Sequence, residues 1–113
     1  MNFQKYQLDA YTAIQEHPNK KDETLNWAIG LGEECGEVFN ILKHFYWGGE
    51  ELKIESLKKE LGDVLWYLNA LCSVFGLRLE EVASSNLEKL SKRYNEGVFD
   101  IEKSKKRHEI EGE

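Results

Sequence analysis

The stretch Asn26-Trp27-Ala28-Ile29-Gly30-Leu31-Gly32-Glu33-Glu34-Cys35-Gly36-Glu37-Val38-Phe39-Asn40-Ile41-Leu42 decides the fold class. Wound at roughly 100° per residue, Leu31, Cys35, Val38, Phe39 and Leu42 share one arc of a helix. Asn26, Glu33, Glu34 and Glu37 occupy the adjoining arc, about 100° wide. The acids therefore border a core-forming face instead of lying opposite it. Gly30, Gly32 and Gly36 interrupt the same helix, and glycine inside a helix costs ~1 kcal/mol relative to alanine. They imply close backbone approach or room for a ligand, or else a helix break near residue 30.

Outward from this segment the same periodicity continues. Leu, Glu, Lys and Ala recur at three- and four-residue intervals, β-branched residues are sparse, and proline occurs once, at Pro18. A first helix is expected over residues 2–16, with Tyr6, Ala10, Ala13 and Ile14 as its apolar side and Pro18 with Asn19 closing it. A second runs from Asp22 to Trp47, stopped by Gly48 and Gly49. A third runs from Glu50 to Phe75 before Gly76, and a fourth from Leu79 to Asn95 before Gly97. Short loops return consecutive helices antiparallel, so the fold class is all-α with a four-helix bundle-like core. The third helix is apolar on nearly every side from Leu61 to Leu77, which favours burial in a dimer interface. A homodimer or a dimer of dimers is expected.

A chain of 113 residues suits one domain, here 1–97, with the charge-dense residues 98–113 as a tail or short helix. With 21 Asp and Glu against 15 Lys and Arg, the net charge of -6 disfavours a nucleic-acid partner. Met1 to Ala10 carry no signal-peptide pattern. The longest apolar stretch, Val64 to Leu77, is broken by Asn69 and Ser73 and falls short of the ~20 residues that span a bilayer. No membrane partner is expected. Cys35 and Cys72 lie in apolar helical patterns without a ligand-spaced partner, reading as buried thiols in a reducing cytoplasm.

The third helix repeats the acidic design in Glu60-Leu61-Gly62-Asp63, where a spacing of three puts both carboxylates on one side. Leu57, Leu61, Val64, Leu65 and Leu68 form the neighbouring apolar face. If the apolar faces of helices two and three pack together, Glu34, Glu37, Glu60 and Asp63 converge at the seam. Carboxylates brought that close raise one another's pKa unless a cation sits among them, and hard divalent ions meet that need through oxygen. None of His17, His44 and His108 has a Glu three residues before it, so the Glu-x-x-His pair of helix-bundle di-iron sites is missing. An all-oxygen site points to magnesium, with manganese as the other candidate. One acidic cluster on a helix is usually a solvated face, whereas two of matched spacing beside the most apolar helices argue for a site.

On the fourth helix, Asn86, Lys89 and Arg93 lie within about 60° of one another beside the arc of Leu79, Val82, Ala83, Leu87, Leu90 and Tyr94. Such a stripe can hold phosphate oxygens, though solvated Lys and Arg on a helix face are equally common. Trp27, Trp47, Tyr46 and Tyr67 could stack on a base, but aromatics at helical spacing are more often core.

Glu33-Glu34-x-x-Glu37, a 22-residue gap and Glu60-x-x-Asp63 together resemble the signature of the MazG-like nucleotide pyrophosphohydrolases, within the all-α NTP pyrophosphohydrolase superfamily. The likeness extends through Asn26, Glu60-Leu-Gly-Asp-Val-Leu-Trp-Tyr-Leu68 and Asn86-Leu-Glu-Lys-Leu-Ser-Lys-Arg-Tyr94, covering roughly residues 25–105. Two positions depart from the pattern, Arg78 before helix four and Asn95 after Tyr94, both outside the acidic motif. The resemblance implies a magnesium-dependent hydrolase that cleaves a nucleoside triphosphate between its α and β phosphates. By position it implies Glu34, Glu37, Glu60 and Asp63 as metal ligands and Glu33 as the residue that orients or deprotonates water or assists a further ion. It implies Lys89 and Arg93 as phosphate-binding residues, with Asn26 and Asn86 helping to hold the substrate. A non-catalytic helical oligomerisation or regulatory module is the competing reading, as is a dUTPase-like or non-nucleotide pyrophosphatase on the same scaffold.

Overall fold

In a computed structural model of the chain, the structure describes residues 1–11, 18–95 and 98–99. They form four helices, α1 (Phe3–Tyr11), α2 (Lys20–Tyr46), α3 (Ile54–Val74) and α4 (Leu79–Arg93). A two-residue antiparallel pairing follows, β1 (Tyr94–Asn95) with β2 (Val98–Phe99), and leaves the fold all-α. No helix among the described residues is long and apolar enough to cross a membrane. The chain divides into two compact units, Met1–Leu79 and Glu80–Glu113.

In the first unit, α2 begins where Asn19 takes an extended backbone and its Oδ1 accepts from the Asp22 N–H at 3.1 Å. Asp22 and Glu23 in the first turn suit the positive helix end. The helix then runs unbroken through Gly30, so no break occurs near residue 30. A Cβ at Gly30 would meet Cδ1 and Cζ of Tyr67 at 2.6 Å, so glycine there lets the aromatic ring lie directly on the α2 backbone.

The α2–α3 pair is an antiparallel hairpin. Lys20 Nζ lies 5.3 Å from the centroid of Phe75, and Trp27 meets Trp66 edge-on at 5.4 Å and Tyr67 at 6.1 Å. Partner numbers on α3 fall as those on α2 rise, which fixes the register. Aromatic rings fill the upper seam, and each edge-on pair contributes about 1 kcal/mol beyond the area it buries. In the C-terminal half of α3, Asn69 is 0% exposed, and neither of its amide atoms has a hydrogen-bond partner among the described residues.

Helix α1 is fastened to the far end of α3 by one side chain. The Gln7 amide donates to the Leu77 carbonyl at 2.9 Å and to Ser73 Oγ at 3.5 Å, while its Oε1 accepts from the Leu79 N–H at 2.9 Å. The turn it grips is a Schellman closure, with Leu77 N–H on the Cys72 carbonyl, Gly76 N–H on Ser73, and Gly76 at φ 66°.

Several sequence expectations shift. Helix three starts at Ile54 and not near Glu50, because the Glu50 N–H is still engaged by the His44 carbonyl at 3.2 Å and residues 51–53 are not helical. In the second unit, α4 ends at Arg93, and Tyr94 and Asn95 enter the short antiparallel pairing. Phe39 and Leu61, expected on the apolar faces, are 70% and 50% exposed, since each lies past the edge of the seam. Residues 64–74 are all buried or half-buried within the chain, while Leu61, Phe75 and Leu77 at the ends of the expected apolar stretch are exposed. The end of the first helix at residues 12–16, the stop at Gly97 and all of the 98–113 tail except Val98 and Phe99 lie outside the described residues.

Candidate active site

Below the aromatic part of the seam, the register that sets Trp27 against Tyr67 sets Glu34 of α2 against Glu60 of α3. Asp63 lies one helical turn from Glu60 on the same side. Each of Glu34, Glu60 and Asp63 offers one carboxylate oxygen, and these atoms all lie within 4.8 Å of one another. Glu34 and Glu60 are half-buried and Asp63 is exposed, so the group opens to solvent on one side.

The electrostatics follow from that geometry. The Glu34 carboxyl is raised from its ordinary 4.5 to about 7, first by its hydrogen bond to Glu60 and next by burial. The negative charges of Glu60, Asp63 and Glu37 act in the same direction. A proton held between two carboxylates does the work that a cation would do better, since a divalent ion neutralises several acids together. Three oxygen donors at this spacing fit a hard divalent ion that keeps some of its waters, so the residues present suit such a group.

The remaining sequence candidates distribute as follows. Glu37 is exposed and stands outside the close trio, though its charge acts on Glu34. Glu33 and Asn26 are exposed on α2. On α4, Asn86 is exposed while Lys89 and Arg93 are half-buried, and Arg93 Nε is shielded from water with no hydrogen-bond partner among the described residues. Trp27 and Tyr67 belong to the packed seam, whereas Tyr46 and Trp47 are exposed. No Cβ added at Gly32, Gly36 or Gly62 would meet any atom within 4 Å, which leaves open space beside the acids.

Sequence reasoning missed Tyr6. It was read only as part of an apolar helix side, yet its phenol is pushed above its usual value of 10.0, chiefly by burial and then by the charge of Asp63. Nothing in local spacing connects residue 6 with residue 63. The contact arises because α1 docks on α3.

Comparison with known proteins bears on what these acids are for. The MazG nucleotide pyrophosphohydrolase domain matches residues 22–99, from the first turn of α2 to the end of β2. The chain belongs to the MazG family. All three close carboxylates and the whole of α4 fall inside the MazG match. A curated relative, the Gene 37 protein of Mycobacterium phage L5, is 34% identical over 75 residues, spanning 63% of this chain and 66% of the phage protein. No solved structure matches at a significant level. MazG membership makes the chain one of a family of nucleotide pyrophosphohydrolases with an all-α fold.

Proposed function

We propose that the chain hydrolyses a nucleoside or deoxynucleoside triphosphate between the α and β phosphates, releasing a monophosphate and pyrophosphate. The observation that carries this reading is the meeting of Glu34, Glu60 and Asp63 within 4.8 Å, with Glu34 holding its proton to about pH 7. Such a group is strained by its own charge and is relieved by a divalent cation. Magnesium is the ion we assign, manganese its substitute, with Glu34, Glu37, Glu60 and Asp63 as ligands. Glu37, one turn beyond Glu34, is assigned as the fourth ligand.

When bound, the ion neutralises triphosphate charge and makes the α phosphorus more open to attack. The chain's own acids do the rest. Glu33, exposed at the rim, orients a water and takes its proton as the water oxygen bonds to the α phosphorus. The bond from that phosphorus to the bridging oxygen then breaks, and pyrophosphate leaves with the electron pair. Lys89 and Arg93 are assigned to phosphate oxygens, and Asn26 and Asn86 to holding the substrate. Their support is chemical: a cationic and polar stripe on one face of α4, with Arg offering a planar fork. Cys35 and Cys72, both free thiols, suit the reducing cytoplasm that we assign to the chain.

The test is a screen of the common NTPs and dNTPs, dUTP included, for pyrophosphate release with and without magnesium. Glu60→Gln and Asp63→Asn should keep the helical circular dichroism signal and lose at least about 100-fold in rate. Full activity in both variants overturns the site. No release from any nucleotide by the wild-type protein overturns the reaction.

A further inference from the structure

Helix α1 precedes the residues that the MazG match covers, yet it packs on α3. Its inner side is Tyr6, Gln7 and Ala10, each half-buried, while Leu8 and Asp9 between them are exposed. On α3 the receiving stripe is Asp63, Trp66, Ala70 and Ser73, whose spacing of three and four holds all of them within about 80° of the wheel. Gln7 grips Ser73 and the turn beyond it, at the upper end of that stripe. Asp63, at the lower end, is the residue whose charge acts on the Tyr6 phenol. Two neighbouring side chains of α1 thus reach toward points about 15 Å apart along α3, Gln7 to the Leu77 turn and Tyr6 to the acids.

What Tyr6 brings there is a neutral donor. Asp63 acts on the phenol through charge and not through a hydrogen bond, so the hydroxyl is not taken up by the acid beside it. Burial and that same charge both disfavour the phenolate, which keeps the O–H protonated at neutral pH. Asp63 is exposed where Glu34 and Glu60 are half-buried, so Tyr6 flanks the side of the group that opens to solvent. A triphosphate approaching from that side presents oxygens that accept hydrogen bonds. A lysine at position 6 would close on Asp63 as an ion pair and fill the opening, and a carboxylate would repel the substrate. A phenol does neither, and its two side-chain torsions are fixed with little loss of entropy.

We propose that the Tyr6 hydroxyl is a substrate-binding group, donating a hydrogen bond to a phosphate oxygen of a triphosphate held at Glu34, Glu60 and Asp63, and that the Gln7 clamp on the turn after α3 sets its position. This contact rests on the reading under Proposed function. It brings into the site a helix that the MazG match leaves out, and it makes substrate affinity depend on α1 being docked.

Diimidotriphosphate with magnesium is the probe: its P–N–P bridges resist hydrolysis, and it carries neither sugar nor base. Calorimetric titration of the full chain with it reads the contact without turnover, and titration with manganese alone reads the acids. Tyr6→Phe keeps the ring and removes a hydroxyl that makes no hydrogen bond to Asp63, so its melting temperature should match that of the wild type. It should bind the probe about 10-fold more weakly, as expected for one lost hydrogen bond to a charged oxygen, and should bind manganese as the wild type does. Gln7→Ala, which frees α1, should weaken probe binding by a similar factor; wild-type affinity in that variant overturns the clamp. Equal probe affinity in Tyr6→Phe and wild type overturns the contact, as does a wild-type chain that does not bind the probe. An equal loss for manganese alone also overturns it, since Tyr6 would then act through the acids. So does weaker binding of an α,β-imido nucleotide with probe binding unchanged, which would place the hydroxyl on the sugar or base. Absence of pyrophosphate release by the wild type overturns the hydrolase reading instead, and the two failures are read in separate assays.

Discussion

Glu34 is hydrogen-bonded to Glu60 across the seam between α2 and α3, and the bond holds the Glu34 proton up to about pH 7. The pair joins the two longest helices of the chain through a group that titrates where most proteins are handled. Its stability consequence has a definite sign. A carboxyl with a raised folded-state pKa keeps its proton in the fold over a range where the unfolded chain has lost it. Metal-free protein should therefore lose stability as pH rises from about 4.5 to about 7 and should level off above that. Thermal melts in chelator at successive pH values measure the slope. Glu34→Gln should flatten it, and an unchanged slope in that variant would mean the shared proton is not at this position.

Glycines in the same hairpin should respond in opposite directions. Gly30→Ala drives a methyl into the Tyr67 ring and should cost about 2 kcal/mol by overpacking. Gly62→Ala meets no atom within 4 Å and gains helix propensity, so it should stabilise by up to ~1 kcal/mol. Urea unfolding of the two variants side by side checks the contrast. Equal effects would contradict the close approach at Gly30.

The Gln7 amide should carry most of the attachment of α1. Gln7→Ala removes two accepted donations and one accepted N–H, leaving the Leu77 carbonyl and the Leu79 N–H without that partner. A loss of about 1–3 kcal/mol follows for the half-buried site. Hydrogen exchange should report faster exchange in residues 3–11 with protection of the α2–α3 seam retained. Protection unchanged in α1 would show that other contacts hold it.

The acids and the helices that carry them were legible in the sequence because both obey the helical period. Glu34, Glu60 and Asp63 each border an apolar stripe, and two stripes that bury each other must bring their borders together. Helix ends were legible where a residue type dictates the backbone, as at Asn19 and Gly76. The start of α3 was not, since Glu50 is held back by a carbonyl six residues earlier, and no local preference records that bond. Phe39 and Leu61 were misplaced because a wheel gives direction around a helix but not how wide a face the neighbouring helix covers. The proximity of Tyr6 to Asp63 depends wholly on tertiary docking, and so lay beyond reading from spacing.

Gln7 has its partners at Ser73, Leu77 and Leu79, some seventy residues downstream. During synthesis the first helix therefore leaves the ribosome long before its seat exists, and it must wait for the entire hairpin to be made. A helix made so far ahead of its seat must wait for it, and a pause between the two would leave α1 open to proteases and chaperones.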